Sequence, residues 1–221
     1  MASTSDDVFA AISEVDVERV LSLLADDPSL ASARDGRGVS ALMQARYRFD
    51  RDLIQAVRAH VDELDVFEAA TFGDLDRLIS LLEADPSDVS ARSGDGFTPL
   101  HFAAFFGQPD AVALLLARGA EVDARGTGWM TGTPLHAAAS GRHLDAARRL
   151  LEAGADPDER QSQGFAPLHA AAEHGDVALA RLLLAHGADV NATTDDGRNA
   201  LAFATAAGDA ETIEALRQAT A

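Results

Sequence analysis

Short apolar faces at helical spacing recur along the chain, each cut off by a glycine and followed by a second, more strongly apolar stretch. Leu100, Ala103 and Ala104 form one such face. Thr98 is placed to cap it, and Pro99 at the first helical position gives up only an amide that would lack a helical partner. Gly107 fits the left-handed residue that ends a helix. Pro109-Asp110 opens the next helix with a carboxylate at its positive end, a place also held by Asp52, Asp76, Asp145 and Glu211. Val112, Leu115 and Leu116 fill the second face and recur as Leu78, Leu81, Leu82 and as Ala147, Leu150, Leu151. The pattern predicts pairs of short helices, each pair too small to bury its own apolar faces.

The pairs repeat. Thr98-Pro99-Leu100-His101, Thr133-Pro134-Leu135-His136 and Ala166-Pro167-Leu168-His169 precede a weaker Asn199-Ala200-Leu201-Ala202, with leucine spacings of 35, 33 and 33 residues. Gly119-Ala120, Gly154-Ala155 and Gly187-Ala188 close three of the second stretches. Residues 7–42 align with 65–100 at a constant offset of 58, matching Val8-Phe9 to Val66-Phe67 and Pro28 to Pro86. A shorter unit begins at Ser40-Ala41-Leu42, only 24 residues before Val66.

A period near 33 that carries T-P-L-H-x-A-A and G-A-D resembles the ankyrin repeat. The resemblance implies an all-α repeat solenoid of stacked helix–turn–helix units with β-turn fingers, of a bacterial type. It gives one domain over 1–221, with units near 6–35, 36–64, 65–93, 94–127, 128–160, 161–193 and 194–221, the first and last being degenerate caps. Fingers are expected at Asp35-Gly36-Arg37-Gly38, Ser93-Gly94-Asp95-Gly96, Gln161-Ser162-Gln163-Gly164 and Thr194-Asp195-Asp196-Gly197. The 24-residue step leaves no room for one, so the chain should pass from helix to helix through His60 to Asp65, with a local irregularity in the groove. Arg217, where Leu184 stood, fits a polar end face.

Composition narrows the function. Thirty-six acidic residues against eighteen basic ones, all arginine, give a formal charge of −18. That balance disfavours nucleic acid and anionic membranes, and it suits a partner with a basic rim around an apolar centre. The absence of lysine and the wealth of Ala, Arg, Asp and Gly fit a GC-rich, bacterial genome. With no cysteine, disulfides and thiolate metal sites are excluded. Neither a secretory signal nor an apolar run near the ~20 residues of a membrane span is visible, which points to a cytoplasmic protein.

Candidate chemistry is thin. By resemblance, His101, His136 and His169 bond the turn region and staple neighbouring units. They would stand roughly 10 Å apart, too far to share one metal ion. Ser140, His136 and Asp145 form only a superficial triad without a nucleophile elbow. The glycines follow the repeat period and form no phosphate loop. No enzyme activity, metal or cofactor is expected.

The resemblance also places two variable, groove-facing positions before each first-helix glycine. They hold Tyr47-Arg48, Thr71-Phe72, Phe105-Phe106, Ser140-Gly141, Glu173-His174 and Ala206-Ala207. The 35-residue step carries its two extra residues in Gly126-Thr127-Gly128-Trp129-Met130-Thr131-Gly132. Aromatics where small residues would suffice mark a contact surface. Phe72, Phe105, Phe106, Trp129 and Met130 are expected as partner-binding anchors, with Tyr47, Arg48, Glu173 and His174 at the margins. Phe9, Phe67, Phe102 and Phe203 are expected in the core. The chain then reads as a non-catalytic, scaffold-type module for a protein or peptide partner. It would act as a monomer, or as a homodimer through the aromatic patch. The alternative is a metabolite sensor closing the patch against the long finger.

Overall fold

The computed structural model describes residues 4–127 and 131–220. Among them are fourteen α-helices and no extended sheet; isolated bridges join Arg34 to Ser40 and Thr193 to Asn199. The helices follow in pairs: α1 (Ser5–Glu14) with α2 (Val17–Asp26), α3 (Ala41–Arg46) with α4 (Arg51–Arg58), and α5 (Val66–Phe72) with α6 (Leu75–Ala84). Then come α7 (Pro99–Phe105) with α8 (Pro109–Ala117), α9 (Pro134–Gly141) with α10 (Leu144–Glu152), α11 (Pro167–Glu173) with α12 (Val177–Ala185), and α13 (Ala200–Ala207) with α14 (Ala210–Ala219). This is the all-α repeat solenoid that the periodicity predicts. Two compact units are resolved, Met1–Glu68 with Ser93–Asp95, and Ala69–Arg92 with Gly96–Ala221, so the division falls inside α5.

In the first unit Leu24, Leu42 and Leu53 are fully buried between helix pairs. In the second, Leu78, Leu100, Leu115, Leu135, Leu150, Leu168 and Leu183 do the same. Between them the paired alanines Ala103-Ala104, Ala138-Ala139 and Ala171-Ala172 have no exposed surface. A methyl side chain at these places lets neighbouring first helices approach closely, which explains a core rich in alanine rather than aromatics. Phe102 and Phe203 are buried as expected, whereas Phe9 and Phe67 are only half-buried.

Five of the seven second helices start on aspartate caps, α8 and α10 being the exceptions with Gln108 and His143. Asp16, Asp50, Asp74, Asp176 and Asp209 each accept from the backbone amide three residues on, at 2.8–3.1 Å. The acidic residues singled out from the sequence do lie in first turns, but in these helices the capping bond comes from the preceding aspartate, an interaction worth about 1 kcal/mol. Helices α2 and α6 run into Asp27-Pro28 and Asp85-Pro86, which start short 3-10 turns capped through Ser29 and Ser87.

The fingers close as tight turns: Gly38 donates to Asp35 O, Gly164 to Gln161 O and Gly197 to Thr194 O. Asp35 organises the first by accepting from the amides of Arg37 and Val39, both at 2.9 Å. Gly94 must be glycine, because a Cβ there would overlap the carbonyl oxygen of Arg37. Between α4 and α5 the chain runs through Ala59 to Asp65 without a finger bridge, as the 24-residue step requires.

Buried histidines join the pairs of the second unit. The Nδ1 atoms of His101, His136 and His169 accept from the amides of Thr98, Thr133 and Ala166 at 3.3, 3.2 and 2.9 Å. That pairing assigns the proton to Nε2, which donates to the carbonyls of Gly132, Phe165 and Ala192 at 3.1, 3.0 and 2.9 Å. Burial holds the His101 and His136 imidazoles at about 4, below the ordinary 6.5, and lowers His169 too. The unfolded chain therefore takes up these protons first. The stability contributed by the neutral rings is complete above pH 6.5 and is lost as pH falls toward 4, on the order of 3 kcal/mol for each of the first two. His136→Gln keeps an oxygen able to accept from Thr133 but does not titrate. Urea unfolding followed by circular dichroism should show the variant less stable at neutral pH. Its pH dependence below 6.5 should be shallower by about 1.4 kcal/mol per pH unit; an unchanged slope would exclude His136 as the titrating group.

Candidate interaction surface

A residue with positive φ turns each first helix toward the second, and the two positions just before it differ from pair to pair. In the second unit Phe72 and Phe105 are half-buried on the turns α5–α6 and α7–α8. The two turns are tied together: the Gln108 amide donates to the Thr71 carbonyl at 3.1 Å, and its side chain fills the space beside Gly73. Glu173 and His174 are exposed on the α11–α12 turn.

Three expectations need correction. Phe106 is only 5% exposed. At the C-cap of α7 its ring turns inward and meets Phe105 edge to face, with centroids 5.0 Å apart, so it supports Phe105 instead of facing outward. Thr71 is fully buried as well. Tyr47, in the first unit, is no free anchor either. Its hydroxyl donates to Asp95 Oδ2 at 2.6 Å, while Ser93 Oγ donates to the other carboxylate oxygen at 2.5 Å. Burial, then the bond to Asp95 and its charge, raise the phenol far above its ordinary value, so it stays protonated. Arg48 is exposed.

Trp129 and Met130 lie outside the described residues. The base of their finger is closed by Gly126 donating to Gly132 O at 2.9 Å, and Thr127 donates to Gly96 O at 3.1 Å. Thr131 is linked to Ser162 on the following finger.

Sequence reasoning passed over Phe49. It stands where Gly107, Gly175 and Gly208 stand in other pairs, in the left-handed region at φ 56°, and it is 65% exposed. Val15 and Arg142 hold the same slot with positive φ in two further pairs, so only the aromatic there is particular to Phe49.

Models of the family place this architecture. Ankyrin repeats (3 copies) match residues 66–161, and ankyrin repeats (many copies) match residues 168–217. The chain belongs to the ankyrin-repeat family. It is 33% identical over 100 residues to a transient receptor potential cation channel subfamily A member 1 homolog of Caenorhabditis elegans, covering 44% of this chain and 8% of that protein. It is 47% identical over 64 residues to E3 ubiquitin-protein ligase XB3 of Oryza sativa subsp. japonica, covering 28% and 14%. Alpha-latrocrustotoxin-Lt1a of Latrodectus tredecimguttatus is 43% identical over 61 residues, covering 28% and 4%. The chain thus spans a small fraction of the length of these relatives.

Within this ankyrin chain the three repeat histidines, His101, His136 and His169, have no ring nitrogen to spare. His136 is committed at both ring atoms, so it is not available as a base to Ser140. No described helix is long and apolar enough to cross a membrane. Position N3, held by histidine in three repeats, is Glu68 in α5, 4% exposed. Its carboxylate accepts from Ser40 Oγ at 2.5 Å and from the Asp65 amide at 3.0 Å, and burial raises it above the ordinary carboxylate value. The histidine staples reach forward along the chain; Glu68 reaches back to the N-cap of α3.

The Tyr47–Asp95 bond leads to a prediction that separates packing from recognition. Tyr47→Phe removes the donor to one oxygen of a nearly buried carboxylate and should lower unfolding stability by about 2 kcal/mol in urea titrations. A change under ~0.5 kcal/mol would show that the bond contributes nothing net.

Proposed function

We propose that the chain is a non-catalytic interaction module of the cytoplasm, working as a single ankyrin domain that takes a protein or peptide partner. The observation that carries the reading is the pair Phe72 and Phe105. Two large aromatics stay partly exposed on turns locked together by Gln108, where later repeats have Ser140-Gly141, Glu173-His174 and Ala206-Ala207. Phe106 backs Phe105 and fixes its ring, and a pre-positioned aromatic loses little entropy when a partner covers it. The relatives carry the similar segment as a small part of chains named as a channel, a ligase and a toxin, which supports recognition independent of any one chemistry.

The same turns lead into Asp76 and Asp110, both exposed. An apolar centre beside carboxylates favours a partner with arginine or lysine around an apolar side chain. Glu173 and His174 stand ready as peripheral contacts.

A Phe72→Ser, Phe105→Ser variant with an unchanged circular dichroism spectrum tests the surface. In affinity capture from lysate of the source organism, wild type should retain a protein that the variant loses by tenfold or more, and rising salt should weaken the retention. Equal capture by both would place recognition elsewhere. Capture by neither, with a small metabolite raising the melting temperature of wild type alone, would replace the protein partner by a sensed ligand.

A further inference from the structure

One surface position sets α2 apart from the other second helices. Counted from the helix start, the fifth residue is Gln55 in α4, Arg148 in α10, Arg181 in α12 and Glu214 in α14, all exposed. In α6 and α8 it is Ile79 and Ala113, both half-buried. Helix α2 has Leu21 there, 45% exposed. Val15, which ends α1, is 40% exposed.

Leu21 is part of a ridge. Val17, Leu21 and Ala25 follow at a spacing of four, which stacks them along one side of α2. Val17 is half-buried and the other two are exposed, whereas Val20 and Leu24 have no exposed surface. The core thus takes one apolar side of α2 and leaves the adjoining one open. A single exposed leucine is ordinary; a ridge of three beginning two residues after Val15 is a patch. Ridges at a spacing of four are the ones that interlock with grooves of another helix.

The surroundings set the sign of what fits. From Ser5 to Asp26 the chain holds Asp6, Asp7, Glu14, Asp16, Glu18 and Asp26 against Arg19 alone, a balance of −5. Arg19 pairs with Glu14 at 3.2 Å and lies 3.9 Å from Asp7, so its charge is held on the α1 side. Glu18, Ser22 and Asp26, each one residue on from the apolar ridge, form a parallel polar ridge and are all exposed. A second copy of the chain would bring the same negative charge to the contact.

We infer that the open side of α2 docks a cationic amphipathic helix of another protein, its apolar side chains meeting Val17, Leu21 and Ala25 and its lysines or arginines meeting Glu18 and Asp26. The site lies in the first unit and shares no residue with the Phe72–Phe105 surface, so either can fail without the other.

The test uses a displayed library of random peptides, depleted on the Leu21→Gln chain to remove binders of other surfaces and then panned on the wild-type chain. Selected peptides should carry lysine or arginine around apolar residues at helical spacing, and their circular dichroism should become helical on binding. By fluorescence anisotropy, Glu18→Lys with Asp26→Lys should weaken the best peptide at least tenfold, and so should Ala25→Lys alone. Asp145→Lys with Glu152→Lys, the same charge change on exposed residues of α10, should weaken it less than about twofold. Leu21→Gln should leave the melting temperature unchanged. The proposal falls if no peptide is selected, if the selected ones are not cationic, or if they bind without becoming helical. Equal losses from the α2 and α10 reversals would reduce the attraction to net charge and overturn it. A lower melting temperature for Leu21→Gln would make Leu21 a packing residue, which also overturns it. Dimers in sedimentation that Leu21→Gln disperses would give the ridge to a second copy of the chain instead.

Discussion

The hydrogen bond from a buried Nε2 to a carbonyl 23 to 31 residues further on is where the helix pairs of the larger unit become a stack. Helices of seven to nine residues are marginal by themselves, so each must borrow stability from the next pair. Leucines supply most of that by burial, but burial has no direction. The imidazole adds direction, since one nitrogen reads the N-cap of its own helix and the other reads the turn ahead. Only a neutral ring can do both, and the low-dielectric surroundings that keep it neutral are made by the packing it helps to align. At the last such joint the ring of His169 lies among Phe165 and Phe203, with the Arg198 guanidinium over Phe203 at 4.3 Å.

Glu68 shows how far this joint can vary. It keeps the local half of the arrangement, exchanging bonds with Asp65 across the start of α5, but its other oxygen can only accept. It therefore needs a donor, and finds one in Ser40, whose own hydroxyl oxygen accepts from the Met43 amide. Exchanging a donor for an acceptor at one position turns a forward link into a backward one.

Much of this was readable in the chain. The leucine spacing located the helix pairs, the Thr-Pro start marked first helices, and the 24-residue step foretold a connection without a finger. Those signals are local, set by capping chemistry and chain length. What stayed hidden depends on which neighbour arrives in space. Phe105 and Phe106 are identical by residue type and adjacent, yet only one is buried, decided by the direction of the backbone at the end of α7. Tyr47 had the look of a groove aromatic because Asp95, 48 residues away, could not be seen as its partner. Phe49 escaped for a different reason: the repeat was aligned on its common residues, and Phe49 departs from them.

Net charge belongs with the misleading averages. A total of −18 predicts how the chain meets a long polyanion, because such a partner samples the whole surface. It predicts little about a short segment, whose contacts span about one Debye length. On that scale the side chains that count are the local ones: Arg48 and Arg51 with Asp52 on one turn, Asp76 and Asp110 on others, all exposed. Arginine keeps its charge against an acidic background, since deprotonation is closed to it, and its planar fork still pairs with a carboxylate when partly desolvated. A repeat protein can therefore offer surfaces of different preference without changing its fold, because each helix pair contributes its own turn and the staples beneath leave those turn positions free to vary.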